Sequence, residues 1–215
     1  MTPTEMKYEL GLQLKTILSI LPEPFITLDF SKLLSDSQNE FVLMAYNTFD
    51  RTELEKKILT SLISRYTTTV FTDNTSNYAN GVTVALPTNL LFALEEHVIL
   101  SGIVAPATVV PIKYDYYNTN INNPFVNPYD ELVWRLDFNG QHELITNGSI
   151  ITSYSIRYIA RPNDINVDSD IECQVNSFFH RTIVDGAAKK ALTIIAKRAA
   201  LEQSRQQQPQ QARAE

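Results

Sequence analysis

Two Asn-Gly pairs eight residues apart constrain this chain more than any other feature. Asn139-Gly140 and Asn147-Gly148 punctuate the run LVWRLDF-NG-QHELIT-NG-SIITSYSIRYIARP. A two-residue type I′ turn needs positive φ at both central positions, and Asn-Gly meets that need better than other pairs. Two such turns in series predict a three-stranded antiparallel meander. Across the first turn Trp134 falls opposite Ile145, and across the second Ile145 falls opposite Ile150. The same parity puts Leu132, Leu136, Phe138, Tyr154, Ile156 and Tyr158 on this apolar face, and Arg135, Asp137, Arg157 and Arg161 on the other. Glu143 lands on the apolar face, which calls for an edge position or a bulge.

Helical signals flank the meander. Thr2-Pro3-Thr4-Glu5 reads as a capped helix start, followed by Met6, Leu10, Leu14, Ile17, Leu18 and Leu21 at helical spacing and stopped by Pro22 and Pro24. The stretch Phe25 to Leu34 is ambiguous. Asn39 to Phe49 suggests a short helix, and Thr52-x-x-Glu55 opens another through Leu62 and Ile63. From Tyr66 the chemistry turns towards strands. TTTVFT and VTVALP are β-prone, and a polar loop separates them. Pro87-Thr88-Asn89 looks like a further helix start, ahead of Leu91, Leu94, Val98 and Ile99. VAPATVVPIK reads as extended, and Tyr114 to Tyr129 as a turn-rich excursion anchored by aromatics. After Pro162 and a polar linker, Asn176 or Ser177 caps a long helix with Phe178, Phe179, Ile183, Ala187, Ala191, Leu192 and Ile195 along one stripe. Gly186 inside that helix implies close packing against another backbone.

The expected fold class is therefore α+β: a helical N-terminal third, an antiparallel β-meander, and a long C-terminal helix ending in a polar tail. Residues 1–204 form one domain, with a helical part over about 1–66 and the sheet plus long helix over about 67–204. The Gln-rich segment 205–215 is too polar to bury a core and is expected to be a flexible tail.

Composition narrows function. The formal net charge of −6 argues against coating nucleic acid through a basic surface. Cys173 is the single cysteine, so no internal disulfide forms. There is no apolar signal core at the N-terminus and no run long enough to span a membrane. The six glycines form neither a dinucleotide-binding nor a Walker pattern. His97, His142 and His180 are far apart and match no zinc spacing. Asp164, Asn166 and Asp168 open like a calcium loop, but Ser169 replaces the required Gly and Val175 the bidentate Glu, so a solvated acidic linker is the reading. No catalytic residue, cofactor or metal is expected. Lys189, Lys190, Lys197 and Arg198 cluster on the last helix, which keeps a DNA-binding or regulatory module as the alternative.

Several segments carry a family resemblance. They are Pro111-Ile112 with Tyr114-Asp115, Asn123-Pro124-Phe125, Trp134-Arg135-Leu136, Tyr154 with Arg157-Tyr158-Ile159 and Pro162, and the helix with His180-Arg181 and Ile183-Val184-Asp185. Together they cover the C-terminal half, which resembles the head-to-tail connector ring proteins of tailed bacteriophages and is most like those of the crAss-like phages. The resemblance implies a non-enzymatic virion protein of the neck, assembled in the host cytoplasm. It implies an annular oligomer, typically of twelve subunits, that joins the portal to an adjacent tail or ring protein and lines the DNA exit channel. Genomic DNA would pass through without sequence-specific binding, and no membrane is involved. Arg135, Arg157 and Arg161 are then candidates for ion pairs between subunits.

Overall fold

Thr2 and Glu5 cap each other as their spacing predicts. The Thr2 backbone amide donates to Glu5 Oε2 at 2.8 Å, and the Glu5 amide donates to Thr2 Oγ1 at 3.2 Å. They open α1 (Pro3–Leu18) in the computed structural model, which describes residues 1–18, 27–49, 53–73, 78 and 80–211. The expected proline stop at 22–24 and the cap at Thr52 lie outside those residues. The chain divides into two compact units, residues 1–62 with 162–215, and residues 63–161. The second is thus inserted in sequence into the first.

The helical unit contains α1, α2 (Thr27–Asn47), α3 (Glu53–Leu59) and α5 (His180–Gln211). α5 belongs to this unit, where the sequence grouping placed it with the sheet. Met6, Leu10 and Leu14 of α1, Phe30, Leu34 and Val42 of α2, and Ile183, Val184, Ala187 and Ala191 of α5 are buried. α5 is 32 residues long, about 48 Å. It runs through most of the Gln-rich segment.

α2 corrects the reading of an ambiguous stretch followed by a short helix. Ser31, Ser35 and Ser37 weaken the apolar pattern, yet all three are buried. Ser35 Oγ donates to the Ser31 carbonyl one turn back, 2.8 Å, and lies 3.2 Å from the Ile165 carbonyl. Ser31 Oγ accepts from the Val167 amide, and Gln38 bridges the Asn163 carbonyl and the Gln174 amide. A polar stripe on α2 thereby satisfies the backbone of the 162–176 linker, which would otherwise be buried with unmet hydrogen bonds. The Asn176 side chain accepts from the Phe178 amide and caps the turn into α5.

Gly186 does mark a close approach, but to a side chain rather than to a backbone. Ser37 Oγ donates to the Ile183 carbonyl at 2.7 Å, and a Cβ at Gly186 would overlap that oxygen.

The inserted unit is one mixed eight-stranded sheet: β1 (Ile63–Thr68), β2 (Thr72–Asp73), β3 (Gly81–Ala85), β4 (Leu90–Leu100), β5 (Ala107–Pro111), β6 (Leu132–Phe138), β7 (Gln141–Ile145) and β8 (Ile151–Ala160). The order is β1-β8-β4-β5-β6-β7-β3-β2, antiparallel except for the β5-β6 pair. The parallel pair needs a crossover, which is supplied by α4 (Tyr114–Asn120) and the turns after it.

β1 and β2 sit at opposite ends of this order but are only three residues apart in sequence. Following the pairings round the sheet, they run in the same direction. They therefore act as one bent strand that leaves β8 and arrives at β3. A four-residue step spans at most about 14 Å, so the sheet must curl back on itself into a barrel of seven effective strands. Closure of this kind removes long free edges. The interior holds Val84, Val98, Val109, Val133, Leu144, Tyr154, Ile156 and Tyr158, with Tyr66 and Phe71 of the bent strand packed against them. Trp134, Leu136 and Ile145 lie on the outer face under Tyr117 of α4, so the expected aromatic anchoring is real.

Half of the meander is present. Asn139 and Gly140 have φ of +48° and +72°, and Trp134 pairs with Ile145 as expected. The second hairpin is absent. β7 turns to β3 for its other partner, while β8 lies between β1 and β4. Of the second pair only Gly148 has positive φ. Side chains hold that loop instead: Asn147 Oδ1 accepts from the Ser149 amide, and Thr146 Oγ1 donates to the Ser149 carbonyl. Ile150 is consequently exposed. The helix expected after Pro87 is β4, whose register shifts between Leu90 and Phe92 and between Ala93 and Glu95 break the alternation that would mark a strand.

Gly186→Ala is expected to destabilise the protein by about 1–3 kcal/mol through overpacking, despite the better helix propensity of Ala. Adding Ser37→Ala should recover most of that loss. Urea denaturation of the two single variants and the double variant measures the coupling.

Candidate functional site

The most concentrated chemistry in the inserted unit lies inside the barrel, near the end where β6 runs into β7. Arg135 and Asp137 are two apart on β6 and so share its inner face. His142 pairs directly with Asp137 across the hairpin, and Glu96 and Tyr154 project inward from β4 and β8. Arg135 Nη1 pairs with Glu96 Oε1. Arg135 Nε lies 3.1 Å from Asp137 Oδ1, an ion pair without well-aligned hydrogen-bond geometry. The Tyr154 hydroxyl donates to Glu96 Oε2 at 2.8 Å and lies 2.8 Å from His142 Nδ1. His142 Nε2 is 3.2 Å from Asp137 Oδ1. Asp137 is largely exposed, so the cluster reaches solvent at that residue alone among the five.

Burial is the largest influence on Glu96 and would by itself raise its pKa. The His142 hydrogen bond, the Arg135 guanidinium and the Tyr154 hydroxyl together outweigh it, and the carboxyl titrates below the ordinary glutamate range. Burial first, then the Glu96 charge, pushes the Tyr154 hydroxyl far up. Burial also raises Glu143, which does occupy the Trp134 face. It is not at an edge there, since β7 pairs on both sides.

The three arginines expected on one polar face are separated. Because β8 does not follow β7 in the sheet, parity cannot be carried from Ile145 to Ile150. Arg135 faces inward with Tyr154, Ile156 and Tyr158, and its guanidinium is engaged within the barrel. Arg157 is on the outer face, half-exposed, 3.1 Å from Glu95 and opposite Arg65. Arg161 is exposed just beyond β8. Glu95 titrates low because His97 hydrogen-bonds to it and Arg157 lies beside it.

Other residues singled out in the sequence have structural settings. Asn166 Oδ1 accepts from the Asp168 and Ser169 amides and forms a turn, and the described residues include no grouping able to hold a metal ion. Burial pushes the Cys173 thiol up to about 11. His180 bonds the Met1 and Val175 carbonyls. Lys190 pairs with Glu40 at 2.9 Å and bonds the Asp36 carbonyl, beside an apolar groove of about 870 Å³ between α2 and α5. No described helix is long and apolar enough to cross a membrane.

Each of the five clustered side chains is committed to a neighbour within the barrel, which is the arrangement of a scaffold pin. What kind of protein carries this barrel comes from comparison with known proteins. Residues 23–205 match the family model described as phage tail ring protein 3/4. The chain belongs to that family. It is similar to ring protein 3 of Bacteroides phage crAss001, 27% identical over 201 residues, which is 79% of this chain and 86% of that protein. It is also similar to ring protein 4/5 of the same phage, 29% identical over 126 residues, 49% of this chain and 52% of that protein.

Removing one partner of a buried ion pair strands the other charge and typically costs about 3–5 kcal/mol. Arg135→Ala should lose stability on this scale in chemical denaturation, whereas Arg157→Ala should lose less than about 1 kcal/mol. The sign of the pH dependence follows from the lowered Glu96 pKa. Its contribution is full above the unfolded glutamate pKa and is lost as pH falls through the lower folded value. Wild type should therefore lose more stability on acidification across that window than Glu96→Gln, as urea midpoints measured against pH would show.

Proposed function

We propose that this structural protein of the phage tail forms a closed ring, typically of twelve copies, within the head-to-tail connector. The ring joins the portal to the next tail or ring component and lines the DNA exit channel. It assembles in the host cytoplasm and performs no catalysis. The observation that carries this reading is the family match over most of the chain.

Physical features support it. A barrel closed by one bent strand and pinned by buried charge resists shear, as a repeated subunit of a ring requires. Identical subunits in head-to-tail contact close into a ring when the rotation between them closes. The net charge of −6 suits a conduit, because DNA must pass without adhering to its wall. Arg157 and Arg161, which remain at the surface, are the candidates for ion pairs between subunits. Arg135 is better assigned to holding the barrel together.

Cryo-electron microscopy of the virion neck tests this reading. The expected result is density for this chain in a symmetric ring between portal and tail, around a lumen wide enough for duplex DNA. Finding the chain in the capsid shell or only at the distal tail tip would overturn it.

A further inference from the structure

The strand directions bring four connections to one end of the barrel, and three of them lie wholly within the described residues: residues 101–106 between β4 and β5, residues 146–150 between β7 and β8, and the end of the crossover leading into β6. They are tied together. The Ser101 amide donates to the Ile150 carbonyl at 2.8 Å, and Asn147 Nδ2 donates to Asp130 Oδ1 at 2.9 Å. Thr152 Oγ1 adds a bond to the Ile99 carbonyl at 2.9 Å. Each connection displays a large apolar side chain to solvent. Val104 is 99% exposed, Phe125 in the crossover 92% and Ile150 73%, and Tyr129 and Ile99 are exposed as well. Residues 101–106, 121–131 and 146–150 contain no lysine, arginine or histidine, and their only charges are Asp130 and Glu131. The opposite end, by contrast, carries Asp137 and His142 together with the exposed Phe138.

We propose that this uncharged apolar rim is the surface that a second copy of the chain covers in the ring, with Val104 and Ile150 at its centre. The proposal rests on the ring reading and says which face makes the subunit contact. Large apolar side chains on one rim mark an interaction surface rather than scattered exposure. The lack of any basic side chain removes the group that would bind phosphate, whether of DNA or of a lipid headgroup. A permanent homo-oligomeric contact is the kind most enriched in apolar area, and it is the one whose partner is always at hand. The side-chain bonds that hold these loops lower the entropy lost on docking.

The test is the double variant Val104→Glu/Ile150→Glu. Tyr8→Glu serves as the control, since Tyr8 is an exposed aromatic residue on α1 of the other unit. Negative-stain imaging and sedimentation read assembly, and Trp134 fluorescence with thermal unfolding confirms the barrel. A buried unpaired charge should weaken subunit association by at least ~100-fold. Rings should be lost in the double variant and kept in the control, with Val104→Ser/Ile150→Ser weakening association less. Rings that persist in the glutamate variant overturn the proposal and leave the ring reading standing. Equal loss in Tyr8→Glu, or wild-type binding to duplex DNA that the variant abolishes, overturns it as well. Wild-type protein that never forms rings defeats the ring reading itself.

Discussion

The inserted unit depends on the closure made by β1 and β2. One bent strand begins against β8 and ends against β3, so both ends of the sheet order are joined by three residues of chain. This creates an inside. The inside then decides which residues are core. It also creates a closed volume in which a charge is costly. The Glu96–Arg135 pair is tolerated there because Tyr154, His142 and Asp137 complete its bonding. A pair of this kind adds little net stability over apolar packing, but damage to it is severe. That makes it a rigidifying pin for four strands.

The helical unit solves a different problem with similar economy. Its helices come from both ends of the sequence, and the linker back from the barrel must cross α2. Serines and a glutamine on α2 meet the linker's backbone, and Ser37 fills the space that Gly186 leaves open. Capping by Thr2, Glu5 and Asn176 sets where α1 and α5 begin.

Local chemistry was readable from the sequence where one segment decides its own conformation. The Asn139-Gly140 hairpin, the Thr2 capping box, the extended 104–113 segment and the end of β8 at Pro162 are of this kind. Pairing decided by distant strands was not readable. The second Asn-Gly resembles the first, yet β3 competes for the free side of β7 and the loop is closed by Thr146 and Asn147 side chains. From that single misplaced pairing came the error in faces, which grouped Arg135 with Arg157 and set Tyr154 opposite it. The buried charge cluster could not have been found by periodicity, since its members come from β4, β6, β7 and β8. One signal did exist: Arg135, Asp137 and His142 crowd a strand pair that is otherwise apolar. The rim was equally hidden, because the loops that carry Val104 and Ile150 are far apart in sequence and are brought to one end by the pairing of β4 with β8.

Family membership and fold converge on a rigid subunit made to repeat. Sedimentation-velocity ultracentrifugation of the purified 215-residue chain tests that claim most directly. The account predicts a discrete species at an integer multiple of 24.4 kDa, sharp in mass as a closed ring must be. A single 24.4 kDa species that persists as concentration is raised would contradict it.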